Sequence, residues 1–267
     1  MGRIVLIKGA GDIGTAVAVQ LHRARRPVVM AEPPGSSLLR RRISFGAALD
    51  EGEVVVEGVA ARPAGTESEA RALLAKQVVP VWTADWQAAI DSLSPHILVD
   101  ARMMKRERNS ETRRHHAPLV IGLGPGFTAG EDVHLVIETN HGPNLGKLIR
   151  DGAAEPYTGI ARVIQGYGLE RYLYASIDGT FLTTKEIGTR VEADEVLGRI
   201  GQEDLKSRFP GIIRGILKSG TAVRKGQKLV DVDPRGEEIA TRTFTDRALR
   251  IAEAVLVAIE EWERGQG

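Results

Sequence analysis

The chain has no cysteine, and this absence excludes several kinds of chemistry. No disulfide can form, no thiolate can bind a metal ion, and no thiol of this chain can carry sulfur or selenium. The other residues, 42% hydrophobic and 27% charged, give the composition of an ordinary globular protein. The length of 267 residues is sufficient for two domains.

A strong charge imbalance and a long apolar run are also missing. The 36 basic and 35 acidic side chains leave a formal net charge of +1, so we expect no general attraction to nucleic acid or to an acidic membrane. The chain contains no run of about 18 apolar residues, the length that a helix needs to span a bilayer. The first predicted strand begins at Arg3, which leaves no room for a signal peptide, and we therefore expect a cytoplasmic protein.

A G-x-G-x-x-G motif at residues 9–14 lies between a predicted strand, 3–8, and a predicted helix, 15–25. In this context its glycines permit, in order, a tight turn, close approach to a phosphate and close helix packing, while the helix start faces the anion. A second predicted strand ends at Glu32, near the spacing of an acidic residue that binds a ribose. The alternative is a glycine turn that binds nothing. The candidate cofactor-binding residues here are Gly9, Gly11, Asp12, Gly14 and Glu32.

Predicted strands and helices alternate as far as residue 100, which predicts a Rossmann-like α/β domain with a mostly parallel sheet. Ligands of such sheets bind at the carboxyl ends of the strands. Asp100 ends one predicted strand, and the basic segment after it contains Lys105, so both residues are candidates for a phosphate-binding crevice. A solvated charged loop is the alternative, and the arginine run 40–42 has the same two interpretations.

A second glycine-rich loop, 122–130, follows another predicted strand. So many glycines cost backbone entropy, which favours close approach to a ligand or to another backbone. His134 and Glu138 would share one face of the strand that follows, but a hydrogen-bonded histidine is a better interpretation than a metal ligand. The candidate cofactor-binding residues here are Gly124, Gly126, Thr128 and Glu138, and no metal site is predicted.

The chain changes character after about residue 155. Two similar stretches, 177–200 and 209–230, repeat a strand, a glycine turn, a valine and a strand in the same order, which predicts a small β-sandwich of two interlocked halves. This pattern resembles the lipoyl/biotinyl-type barrel-sandwich hybrid, but Lys206 between the halves lacks a carrier signature. A final amphipathic helix, 245–264, is expected to close this module. The predicted domains are therefore 1–155 and 156–267.

Seven segments of the chain carry a resemblance to one protein family: 8–12, 42–45, 99–101, 122–130, 132–134, 137–139 and 231–236. Together they resemble the YqeB-type proteins of the selenium-dependent molybdenum hydroxylase system. The resemblance implies a cytosolic accessory factor that helps to mature molybdenum hydroxylases, acting on or with the molybdopterin cofactor.

From the residues and the resemblance we predict a maturation factor that binds a phosphate-bearing cofactor, molybdopterin or a nucleotide form of it. Because the chain has no thiol, we expect a sulfur or selenium donor protein and a molybdenum hydroxylase client as partners. Homo-oligomerisation and catalysis are left open. The alternatives are an NAD(P)-dependent oxidoreductase, favoured by the glycine motif and Glu32, and a non-catalytic docking protein.

Overall fold

The computed structural model describes residues 3–103 and 111–265. The chain forms two compact units, each with its own hydrophobic core. The first unit consists of the described parts of Met1–Ser36, Ser44–Thr158 and Phe244–Gly267, and the second of Ser37–Ile43 and Gly159–Thr243. The predicted division at residue 155 therefore differs from the observed one in two respects. The C-terminal helix groups with the first unit, and residues 37–43 group with the second.

Among the described residues of the first unit, nine strands form one mixed, mostly parallel sheet in the order β10-β9-β7-β6-β1-β2-β5-β4-β3. Only the β3–β4 and β10–β9 pairs in it are antiparallel, and β8 and β11 form a separate antiparallel pair. The chain adds β2 on one side of β1 and later β6 on the other side, so the topology switches direction between β1 and β6. The strands are β1 (Val5–Lys8), β2 (Val28–Ala31), β3 (Val54–Val56), β4 (Val59–Ala64), β5 (Val79–Trp82), β6 (Ile97–Asp100), β7 (Leu119–Leu123), β8 (Thr128–Ala129), β9 (Leu135–Ile137), β10 (Leu148–Ile149) and β11 (Gly152–Ala153).

The α-helices of the described residues all belong to the first unit. Their ends follow local sequence signals: Thr66 forms a capping box with Glu69 at one helix start, and the Thr245 side chain accepts a hydrogen bond from the Ala248 amide at another. None of the helices in the described ranges is both long and apolar enough to cross a membrane. The helices are α1 (Asp12–Arg23), α2 (Ala48–Glu51), α3 (Glu67–Ala75), α4 (Trp86–Leu93) and α5 (Asp246–Arg264).

Helix α5 packs against α1, which explains why it joins the first unit instead of closing the β module. The Arg26 guanidinium pairs with the Glu263 carboxylate at 2.6 Å beside this contact. Leu249 lies outside the buried stripe of this helix and is exposed. The buried residues of α5 are Ala248, Ile251, Ala252, Ala254, Val255, Ala258 and Ile259.

The second unit consists of two four-stranded antiparallel sheets, β12-β19-β17-β14 and β16-β15-β13-β18. The two repeated stretches exchange strands: β14 of the first pairs with β17 of the second, and β18 of the second pairs with β13 of the first. This agrees with the prediction of two interlocked halves. The strands are β12 (Tyr172–Tyr174), β13 (Gly179–Leu182), β14 (Arg190–Val191), β15 (Val196–Ile200), β16 (Glu203–Lys206), β17 (Gly211–Ile216), β18 (Thr221–Val223) and β19 (Lys228–Asp233).

Residues 37–43 contact the second unit through their backbone and their arginines. The Leu39 carbonyl accepts a hydrogen bond from the Ile216 amide at 2.9 Å, and the Arg41 guanidinium donates to the Ile216 carbonyl. Arg40 is buried and donates from Nη2 to two backbone oxygens at 3.2 and 3.0 Å. These arginines have structural partners, so the arginine run is better explained by packing than by a ligand.

Candidate functional site

The carboxyl ends of β1, β6 and β7 bring the predicted site segments to one edge of the sheet. Lys8 ends β1 in register with Asp100, which ends β6, and Asp100 is in register with Gly122 of β7. Because these strands are parallel, both glycine loops follow the same edge, as the sequence predicted. The edge lies at the topological switch point, which is where open α/β sheets bind ligands.

The glycines of the first turn have three different environments. A Cβ on Gly14 would lie closer than 3.0 Å to the Gly9 carbonyl oxygen, so this glycine lets α1 pack against the turn. Gly9 has φ +102° and faces the Arg102 backbone, where a Cβ would lie 3.2 Å from the amide nitrogen. Gly11, at the start of α1, has no heavy atom within 4 Å of a Cβ position. The turn is therefore open at Gly11, where the motif requires close approach to a ligand.

Two carboxylates of the chain bind amides of this turn. The Glu32 carboxylate accepts a hydrogen bond from the Ala10 amide and is nearly buried. Asp12 accepts through Oδ1 from the Ile13 amide at 3.0 Å, in the first turn of α1. Glu32 therefore braces the turn from β2. The Ala10 amide already has an anionic acceptor, so a ligand phosphate would need other donors at this edge.

Two glycines of the second loop, Gly122 and Gly124, are explained by packing within the first unit. A Cβ on Gly122 would overlap the ring of Phe127, and a Cβ on Gly124 would overlap Thr139 Oγ1. Gly124 and Gly126 also have φ of +78° and +103°, a region that favours glycine. The expected close approach is therefore accounted for, at Gly122 and Gly124, by side chains of the protein itself.

Thr128 and Glu138 support the backbone around this loop. The Thr128 amide donates to Asp132 Oδ2 at 3.1 Å. Glu138 is buried, and its two carboxylate oxygens accept three backbone hydrogen bonds, each of 2.7 Å, from the amides of Thr139, Asn140 and Glu155. Glu138 thus orders the chain beyond β9, which differs from the predicted role in cofactor binding.

The described residues contain no group of three or more histidine, aspartate or glutamate side chains that could hold a metal ion. His134 accepts a hydrogen bond through Nδ1 from the Val120 amide at 3.0 Å. Burial lowers the pKa of His134, and the positive charge of Arg114 lowers it further. His134 therefore stabilises the start of β9 as a neutral hydrogen-bonded side chain.

A charged network lies where β1 and β6 end. Glu111 Oε2 accepts from Lys8 Nζ at 3.0 Å and from Arg102 Nη1 at 2.8 Å. Arg102 also donates two hydrogen bonds to Asp100, from Nε to Oδ1 at 3.0 Å and from Nη2 to Oδ2 at 2.8 Å. Thr112 Oγ1 donates to Asp100 Oδ2 at 2.6 Å. Two cations thus converge on one oxygen of Glu111 at the carboxyl edge of the sheet.

The members of this network differ sharply in exposure. The side chains of Lys8 and Asp100 are 3% and 0% exposed, whereas that of Glu111 is 52% exposed. Burial lowers the pKa of Lys8, although the hydrogen bond to Glu111 and the charge of Asp100 oppose that shift. The hydrogen bond from Lys8 is the largest cause that lowers the pKa of Glu111. Glu111 is therefore ionised and accessible to solvent, and it is paired with the buried amine of Lys8.

Aromatic rings form one side of the same network. Lys8 Nζ lies 3.3 Å from the centroid of the Trp86 ring, a cation–π contact. The rings of Trp86 and His116 meet edge to face, with centroids 5.2 Å apart. Burial lowers the pKa of His116, and the nearby positive charges of His115 and Lys8 lower it further. His116 is therefore mainly neutral at physiological pH.

The structure brings together only part of the predicted set of site residues. The first glycine turn, Asp100 and the second glycine loop share one edge, whereas Lys105 lies outside the described residues. The charged network was not predicted as a unit. One signal was present in the sequence, because Lys8 ends the apolar run of β1, where a charged side chain needs buried partners. The residues missed as site candidates are Lys8, Trp86, Arg102, Glu111, Thr112 and His116.

The fold and the site define an α/β protein with a glycine turn and a charged network at the carboxyl edge of a mostly parallel sheet. No protein-family model matches the chain. It is 38% identical over 257 residues to the uncharacterized protein YqeB of Escherichia coli (strain K12), a match that covers 96% of this chain and 47% of YqeB. This match confirms the predicted resemblance to the YqeB-type proteins at the level of sequence similarity. It spans about half the length of this curated relative.

Solved structures show only distant likeness. A succinylglutamate desuccinylase/aspartoacylase from Rhodobacter sphaeroides is 16% identical, with 87% of this chain and 85% of that chain covered, at a TM-score of 0.26. The product-bound ectoine utilization protein EutE from Ruegeria pomeroyi is 12% identical, with 86% and 85% covered, at a TM-score of 0.25. Scores this low support no inference about the function of this chain.

Proposed function

We propose that this chain is an accessory factor for the maturation of molybdenum hydroxylases, and that it binds a phosphate-bearing cofactor, molybdopterin or a nucleotide form of it. The binding site is the carboxyl edge of β1, β6 and β7, between the two glycine loops. The observation that carries the proposal is the open turn at Gly11 beside the start of α1, at the switch point of the sheet.

The contacts of Glu32 favour this proposal over the nicotinamide alternative. A dinucleotide-binding unit uses the acidic residue after its second strand to bind the ribose hydroxyls. Here Glu32 is nearly buried and accepts a hydrogen bond from the Ala10 amide within the turn. That contact occupies Oε2 and leaves one carboxylate oxygen of this nearly buried side chain for a ribose, which disfavours an NAD(P)-dependent oxidoreductase.

If this protein takes part in chalcogen transfer, its lack of cysteine means that it would hold the cofactor while a partner delivers sulfur or selenium. Glycine-loop amides and basic side chains can position a phosphate and a dithiolene without a nucleophile of their own. A donor protein would then deliver sulfur or selenium to the held cofactor, and a molybdenum hydroxylase would receive it. In the second unit, a barrel-sandwich hybrid module would serve packing or docking. Lys206 lies at the end of β16, in register with Val196, and would be an ordinary surface lysine.

Substitutions at Gly11 test the proposal because they should spare the fold. Gly11 has φ −71° and open space at its Cβ position, so Gly11→Asp introduces a carboxylate without backbone strain. Gly126→Asp is a poorer test, since φ is +103° there. The charge-matched control is Ser92→Asp, at an exposed position near the end of α4, away from the carboxyl edge.

The measurement is retention of molybdopterin by the purified protein after gel filtration, quantified by fluorescence of the oxidised pterin. The wild type and Ser92→Asp should retain the cofactor, and Gly11→Asp should lose it by steric and like-charge repulsion while keeping the wild-type circular dichroism. Equal retention by Gly11→Asp would remove the turn from the site. A change in nicotinamide fluorescence on titration with NAD(P)H, with no molybdopterin retained, would favour the oxidoreductase alternative.

A further inference from the structure

We propose that Lys8 and Arg102 form an anion subsite that takes a phosphate group of the ligand, and that the Glu111 carboxylate occupies this subsite until the phosphate displaces it. The inference rests on the proposed function, because it names the group that the carboxyl edge would recognise. Its basis is the position of one glutamate oxygen between two cations, at 3.0 and 2.8 Å, beside the first glycine turn.

Asp100 fixes the orientation of the Arg102 guanidinium group. The carboxylate of Asp100 is fully buried and takes Nε and Nη2 of Arg102, while Thr112 donates to it as well. With Nε and Nη2 bound to Asp100, Nη1 of Arg102 donates to Glu111. Asp100 is therefore a positioning residue, and its predicted role in binding the cofactor is indirect.

Lys8, at the end of β1, supplies the second cation from a buried position. Its amine is buried against the Trp86 ring and directed at Glu111. A buried ammonium is costly unless it is paired, so an anion beside Lys8 stabilises its charged form. Either the Glu111 carboxylate or a ligand phosphate meets that need. A phosphate also offers more acceptor oxygens, which suits two donors that converge from different strands.

Glu111 is the side chain of this network that a ligand could displace most easily. Its side chain is 52% exposed, whereas the two cations below it are 3% and 25% exposed. The half-exposed carboxylate can be hydrated when it moves away, and a phosphate that takes its place keeps the buried amine of Lys8 paired. The subsite also lies next to the turn, since Gly9 packs on the backbone of Arg102. A phosphate held there would be close to the open face at Gly11.

The test is the affinity of the full chain for inorganic pyrophosphate, measured by isothermal titration calorimetry. Glu111→Gln removes the competing charge and should tighten binding by roughly three- to tenfold, as expected for the loss of two part-exposed ion pairs. Lys8→Met should weaken binding by at least about tenfold, the range of a lost charge-assisted contact. The control Glu253→Gln removes an exposed glutamate that pairs with Arg250 on α5, and should leave the affinity unchanged.

A double-mutant cycle separates competition from general electrostatics. If Glu111 competes for Lys8, the gain from Glu111→Gln should shrink in the Lys8→Met background. Should Lys8→Met not fold, Arg102→Gln replaces it in the same cycle. Unchanged or weaker binding by Glu111→Gln, or an equal gain from Glu253→Gln, would overturn the subsite.

Molybdopterin retention by the same variants distinguishes the two proposals. Pyrophosphate affinities that change as expected, without molybdopterin binding to any variant, would leave the subsite intact and contradict the proposed function. Molybdopterin binding that is equal in the wild type, Glu111→Gln and Lys8→Met would support the proposed function and overturn the subsite.

Discussion

Replacing Gly14 by alanine should destabilise the first unit, although helix propensity alone predicts the reverse. Gly14 lies in α1, where alanine is favoured over glycine by about 0.5–1 kcal/mol. The added Cβ would overlap the Gly9 carbonyl oxygen and lie 3.1 Å from the Gly9 carbonyl carbon and 3.3 Å from Met30 Cε. Overpacking of a buried site costs about 1–3 kcal/mol, and an obstructing backbone cannot rotate away. The net loss should therefore be about 1–2 kcal/mol.

Equilibrium urea unfolding, followed by circular dichroism at 222 nm, measures this loss, because the described α-helices all lie in the first unit. The control is Gly11→Ala, which meets no heavy atom within 4 Å and should cost only the preference for glycine over alanine at a helix start, about 0.5–1 kcal/mol. A Gly14→Ala protein as stable as the wild type would show that the turn relaxes, and would refute close packing as the reason for this glycine.

Three further predictions concern single side chains. Because the folded-state pKa of Glu111 is lowered, its contribution to stability should be present above the unfolded value of about 4.5 and lost as the pH falls through the folded value. The stability difference between the wild type and Glu111→Gln should thus shrink between pH 7 and pH 3, and a constant difference in urea unfolding would contradict it. Glu138→Gln should destabilise the first unit by about 1–3 kcal/mol, because a buried acceptor of three amides becomes partly a donor, while the exposed control Glu131→Gln should have no effect. Intact-mass analysis after expression in the native host should show no acyl group on Lys206, and a biotin- or lipoyl-sized adduct would contradict this.

The regular elements were predictable because their signals are local. Thr66 and Thr245 are capping residues next to apolar periodicity, and both α3 and α5 begin after them. The exchange of strands between the two β repeats was predictable from their shared order. The partner of α5 was not predictable, because an amphipathic face shows that a helix packs but not what it packs against.

The candidate site was only partly predictable for a related reason. Glycine positions predicted the shared edge, since each loop follows a parallel strand. Glycine itself does not reveal what approaches it: Gly11 faces open space, whereas Gly124 makes room for Thr139. The pairing of Lys8 with Glu111 joins residues 103 positions apart, and no periodicity or spacing encodes such a contact.

The cofactor site can be located by a crystal structure of the protein with bound molybdopterin or its nucleotide form. We predict that the ligand lies at the carboxyl edge beside Gly11, with a phosphate oxygen within hydrogen-bonding distance of Lys8 Nζ and Arg102 Nη1 and with Glu111 displaced. A cofactor bound at another surface, or crystals that take up no cofactor at saturating concentration, would contradict it.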